Sequence, residues 1–88
     1  MLVTYSALEP FLPTLRRVEE NGSGFNGTYE VCKELEDKAI NNTLTSEDLR
    51  NHIMAGMSIA VSRNKFDLFQ ALCGASRALG ELEKTATA

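Results

Sequence analysis

Apolar residues recur along this chain at intervals of three and four, and no stretch shows the one-on, one-off alternation of a strand. Leu8, Phe11, Leu12, Leu15 and Val18 open the series. Pro10 and Pro13 restrict where that helix can begin, because an interior proline removes a hydrogen bond and collides with the preceding turn. The spacing predicts a helix from about Glu9 to Asn21, stopped by Gly22, since glycine readily takes the left-handed conformation past a helix end. A second helix is predicted over 28–41, with Thr28 as its N-cap. Val31, Cys32, Leu35 and Ala39 form its narrow apolar stripe, and Glu34 and Lys38 stand in the favourable i, i+4 order.

The sharpest start signal is "LTSEDL". Thr45 and Asp48 fit a capping box, and Leu44 and Leu49 occupy the positions of a hydrophobic staple. The nine residues from Ile53 to Val61 carry no charge, which predicts a helix enclosed on most sides. Asn64 is expected to break that helix and cap the next, with Asp67 as its N3 residue. Leu68, Leu72, Ala75, Leu79 and Leu82 then follow in steps of four and three, an a/d seam of about two heptads. Gly56 and Ala60 on one helix, with Ala71, Gly74, Ala75 and Ala78 on the other, would allow close backbone approach. The fold class expected is all-α: a small bundle of three to four helices with an antiparallel C-terminal hairpin. It is expected to form one domain over 1–88, with a flexible glycine-rich joint near 21–27 and a frayed tail at 84–88.

That joint holds the spacing G-x-G-x-x-G at Gly22, Gly24 and Gly27. A dinucleotide fingerprint needs a buried strand before the glycines, and "LRRVEEN" is a charged helical stretch. A kinase loop needs valine where Tyr29 stands, and the Walker pattern needs G-K-[ST] where Gly27-Thr28-Tyr29 stands. The segment therefore reads as a connector. Phe25 and Tyr29 within it are the candidates for a loop contact, since an aromatic among glycines is poorly solvated unless it packs on something.

Composition sharpens the picture. Hydrophobic residues make up 43% and charged residues 24% of 88 positions, ordinary values for a folded domain. The net charge is −3 and is carried by the first half, which has four basic and seven acidic side chains against five of each in the second. Such a balance disfavours nucleic acid and anionic lipid as partners and suits a protein. Cys32 and Cys73 belong to no C-x-x-C pair, and with one histidine the chain lacks a zinc set, so no metal or cofactor is expected. Both cysteines lie among apolar residues and read as buried thiols. "MLVTYSALEP" lacks the features of a signal peptide and no apolar run is long enough for a membrane span, so a cytoplasmic location is expected. Three N-x-[ST] matches, at Asn21, Asn26 and Asn41, then read as turn composition.

No catalytic set emerges. His52 lacks an orienting partner and nucleophile, Cys73 lies on an apolar face, and no enzyme activity is expected. The size, acidity and missing catalytic set are similar in type to small helical regulators: inhibitors, antitoxins, immunity proteins and secretion chaperones. The leading expectation is thus a non-enzymatic protein-binding module, an inhibitor or regulator from a bacterium, phage or plasmid, acting as a homodimer. Its candidate partner surface or dimer seam comprises Met54, Met57, Ile59, Val61, Leu68, Leu72, Leu79 and Leu82. Two alternatives stand beside it. One is a nucleotide-like ligand held near Phe25, Tyr29 and Arg16 or Arg17. The other is a helix-turn-helix using Arg63, Lys65, Arg77 and Lys84, although no dense basic face supports it.

Overall fold

A computed structural model describes residues 1–22 and 31–87, without side-chain placement at 31, 86 and 87. Helix occupies most of them: α1 (Tyr5–Leu8), a 3-10 turn (Glu9–Phe11), α2 (Leu12–Gly22), α3 (Val31–Ile40), α4 (Ser46–Ser62) and α5 (Phe66–Thr87). The all-α bundle read from periodicity is the fold that forms.

Helical structure starts earlier than the prolines suggest. Thr4 is extended and its side-chain oxygen accepts from the Ala7 amide at 3.2 Å, capping α1. Pro10 then falls in the 3-10 turn and Pro13 in the first turn of α2. The tighter link absorbs two prolines without ending the helical course. The start expected near Glu9 is corrected to Tyr5. Ahead of α1, the Val3 amide donates to the Leu44 carbonyl at 2.8 Å and the Ser46 amide donates to the Met1 carbonyl at 2.9 Å. One of the unpaired amides at the start of α4 is thereby satisfied.

α3 begins at Val31, and the proposed cap Thr28 and most of the glycine joint lie outside the described residues. The Cys32 amide finds a partner on another helix: it donates to Glu19 Oε1 of α2 at 2.6 Å. A carboxylate is favourable there, where the helix dipole is positive. Cys32, Leu35 and Ala39 are buried, as the stripe requires. Lys38 reaches Glu34 at 3.6 Å.

Two helices end the same way. Asn42 and Asn64 have φ of 59° and 56°, in the left-handed region. Past α3, Thr43 N–H donates to Lys38 O and Asn42 N–H to Ala39 O; past α4, Lys65 N–H donates to Ala60 O and Asn64 N–H to Val61 O. Both are Schellman motifs with asparagine in place of glycine. Asn64 thus does break α4. Its role is to close the helix behind it, and Asp67 is the second residue of α5.

The Thr45–Asp48 capping box is present in both directions, at 3.1 and 3.3 Å. The hydrogen bonds from Thr45 hold the Asp48 carboxyl below its ordinary pKa. Leu44 and Leu49 flank the box and are fully buried. α4 and α5, joined by residues 63–65, fold back on each other and make the most extensive helix–helix contact among the described residues. Gly56 lies buried between helices: a Cβ there would stand 2.9 Å from Val18 Cγ2 and 3.2 Å from a Leu72 methyl. Gly74 and Gly80 do not share this role, since a Cβ on either would meet open space. Close approach at Gly74 is corrected accordingly, while Ala75 does pack against the core. At the other end of the hairpin Arg50 and Ser46 both bond the Glu83 carboxylate, Ser46 at 3.2 Å. α5 is helical through Thr87, with the Thr85 hydroxyl donating to Glu81 O at 3.0 Å.

Candidate functional site

α4 is lopsided. Leu49, Ile53, Gly56 and Ala60 point into the core. The positions one step round the helix carry no charge: Met54, Ser58 and Val61 turn outward and Met57 is half-buried at the edge of the core. Met54 is 57% and Val61 56% exposed. The enclosure expected for this charge-free helix is therefore corrected: it is buried on one side only.

Across from this strip, α5 contributes Phe69, half-buried, and at the start of the same helix Phe66 is 69% exposed. Met57, Ser58, Val61, Ser62 and Phe69 line an open groove of about 380 Å³. The Ser62 hydroxyl donates to Ile59 O at 2.9 Å, so that polar group is turned to its own helix. What the groove offers a ligand is chiefly methyl, thioether and ring surface. Methionine adapts to irregular partners because it is unbranched and polarisable.

The eight residues expected to form a seam divide sharply. Leu68, Leu72 and Leu79 are at most 1% exposed and pack against the other helices of the same chain. Their heptad-like spacing reflects the intramolecular hairpin, and as a dimer seam they are withdrawn. Ile59 and Leu82 are partly buried against the same core. Met57 is likewise partly buried against that core, with its remaining surface on the groove, and only Met54 and Val61 are exposed. Phe25 and Tyr29 lie outside the described residues. Phe66 was missed by sequence reasoning. An aromatic placed directly after the polar turn "RNK", at the first position of a helix and out of step with the leucines, was the available signal.

The chemistry of the remaining candidates is quiet. Arg17 bonds Asp67 at 2.9 Å and Arg16 lies 3.7 Å from Glu36, so both cations invoked for a nucleotide have carboxylate partners. Asp67 is held below its ordinary pKa first by the Leu68 amide and then by Arg17. His52 is half-buried and shares no hydrogen bond with Cys73 among the described residues. No group of three His, Cys, Asp or Glu side chains converges there either. Burial, and after it the Glu19 carboxylate, pushes the Cys32 thiol up to about 12. Cys73, expected to be buried, is half-exposed. Iodoacetamide at about pH 8 should therefore alkylate Cys73 in the folded protein and reach Cys32 only in urea, because the thiolate is the nucleophile. Peptide mass mapping gives the answer, and equal labelling of both thiols in the native state would contradict the burial of Cys32.

No protein-family model, curated protein or solved structure matches the chain. Among the described residues no helix is long and apolar enough to cross a membrane.

Proposed function

We propose that this chain is a non-enzymatic protein-binding module that offers the outer α4–α5 face to a protein partner, with cytoplasmic regulation or inhibition as its setting. One observation carries the reading. The charge-free positions Met57, Ser58, Val61 and Ser62 of α4 line an open groove with Phe69 of α5, and exposed Met54 extends the uncharged strip along α4. Interface cores lack charge and favour methionine and aromatics, because desolvating an ion is expensive and burying thioether and ring surface is not. A regulator of this kind acts by occupying its partner's surface, with no bond made or broken. Self-association belongs to the same proposal only through this face, since the leucines that suggested a seam are inside the fold.

A photo-crosslinking residue placed at Val61 in the full chain, expressed in its host, tests the reading. We expect a discrete protein adduct from position 61 and none from position 47, where the exposed Glu47 lies in the acidic first turn of α4. An adduct of twice 9.7 kDa would identify the homodimer. Equal adducts from both positions, or none from position 61, would defeat the proposal.

A further inference from the structure

We infer that the outer groove receives an amphipathic helix with acidic flanks, an inference that rests on the reading of this face as a protein-binding surface. Lys65, Phe69, Cys73 and Arg77 follow at four-residue intervals and so form one row along α5. Helical hydrogen bonding reaches back to the first of them, for the Phe69 amide donates to Lys65 O at 3.0 Å. The row begins and ends in a cation, with the groove-lining Phe69 between. At the rise of an α-helix those cations stand ~18 Å apart along the axis.

Their lack of partners is the informative part. Lys65 and Arg77 are both exposed, and neither has an ion pair or side-chain hydrogen bond among the described residues. The other described lysines and arginines, apart from Lys33 on α3, are engaged with another group of this chain. A chain of net charge −3 thus leaves two cations without an internal partner among the described residues, on the row of α5 that carries the groove-lining Phe69. Acids near α5 are already used: Asp67 by Arg17, Glu81 by Lys84, Glu83 by Arg50.

The form of the ligand follows from the form of the groove. Two helices side by side leave a furrow into which the side-chain ridge of a third helix fits. Apolar residues at i, i+3 or i+4, and i+7 would face Met57, Val61 and Phe69. Acidic side chains about three turns apart would meet Lys65 and Arg77. A second copy of this chain suits the face less well. Isologous pairing across a two-fold would bring these same cations toward one another.

The test uses the full chain and a labelled synthetic amphipathic helix of about 18 residues, long enough to span both cations. It has leucine at the groove positions and glutamate on both flanks, and a second peptide carries lysine on the flanks. Fluorescence anisotropy should show the glutamate peptide binding at least about tenfold more tightly, a difference of roughly 1.4 kcal/mol. The Lys65→Glu/Arg77→Glu variant should reverse that order. Val61→Asp should abolish binding of both while circular dichroism shows an unchanged helical melt. Equal or tighter binding of the lysine peptide would overturn the acidic-helix inference and leave the protein-binding reading standing. Binding of neither peptide would overturn the inference as well, and the crosslink from position 61 then decides the broader reading separately. Partition onto phosphatidylglycerol vesicles without peptide binding, or self-association that the glutamate peptide fails to displace, would also overturn it.

Discussion

Replacing Gly56 by leucine will destabilise the fold by about 3 kcal/mol, at the upper end of what overpacking a core usually costs. The first added carbon would already stand 2.9 Å from Val18 Cγ2 and 3.2 and 3.3 Å from the two Leu72 methyls. Val18 is fully buried and, being β-branched, has few rotamers into which it can retreat. Helix propensity works in the other direction, since losing a mid-helix glycine gains roughly 1 kcal/mol. A whole leucine side chain overwhelms that gain. Gly56→Ala should instead land within about 1 kcal/mol of the parent, because a small shift of the Val18 methyl nearly balances the propensity term. Urea melts of the two variants decide the matter. A leucine variant as stable as the parent would mean that Gly56 does not sit between α2, α4 and α5.

The second large effect concerns the neighbour of that glycine. Leu72→Ala should lower the unfolding free energy by about 3 kcal/mol, within the usual range for a buried leucine. Leu72 is 0% exposed and its methyls abut a residue without a side chain, so little nearby can move in to fill the space. For a domain of this length the loss corresponds to a fall in melting temperature of roughly 12–24 °C. The two sites are in contact, so their effects will not add. Adding Gly56→Ala to Leu72→Ala should recover stability, since the new methyl enters vacated space. Strict additivity in the thermal melts would show that the two side chains do not share one cavity.

The fold was largely legible because each helix announces itself locally. Thr45 and Asp48, the i, i+4 pair Glu34 and Lys38, and the leucine steps of α5 are short-range signals, and all take the predicted helical form. The misses depend on contacts far apart in sequence. Leu68, Leu72 and Leu79 have the spacing of a seam whether the facing helix comes from another copy or from the same chain, and only α2 and α4 reveal which. The charge-free stretch of α4 was ambiguous for a related reason. Hydrophobicity shows how much surface wants burial but not how many neighbours are available to bury it. Glu19 capping Cys32 was invisible because a carboxylate thirteen positions away carries no sequence signature of a cap.

The bond from Arg50 and Ser46 to Glu83 closes the open end of the α4–α5 hairpin, as Asn64 and the short turn close the other. A two-helix unit fastened at both ends has little freedom to splay. A ligand entering between the fastenings meets a furrow whose width is already set, and the entropic penalty of ordering the receptor falls largely on the few side chains that line it. Affinity for this surface should accordingly be governed by how well a visitor is itself preorganised: a stiff helix binding better than a floppy peptide with the same contacts.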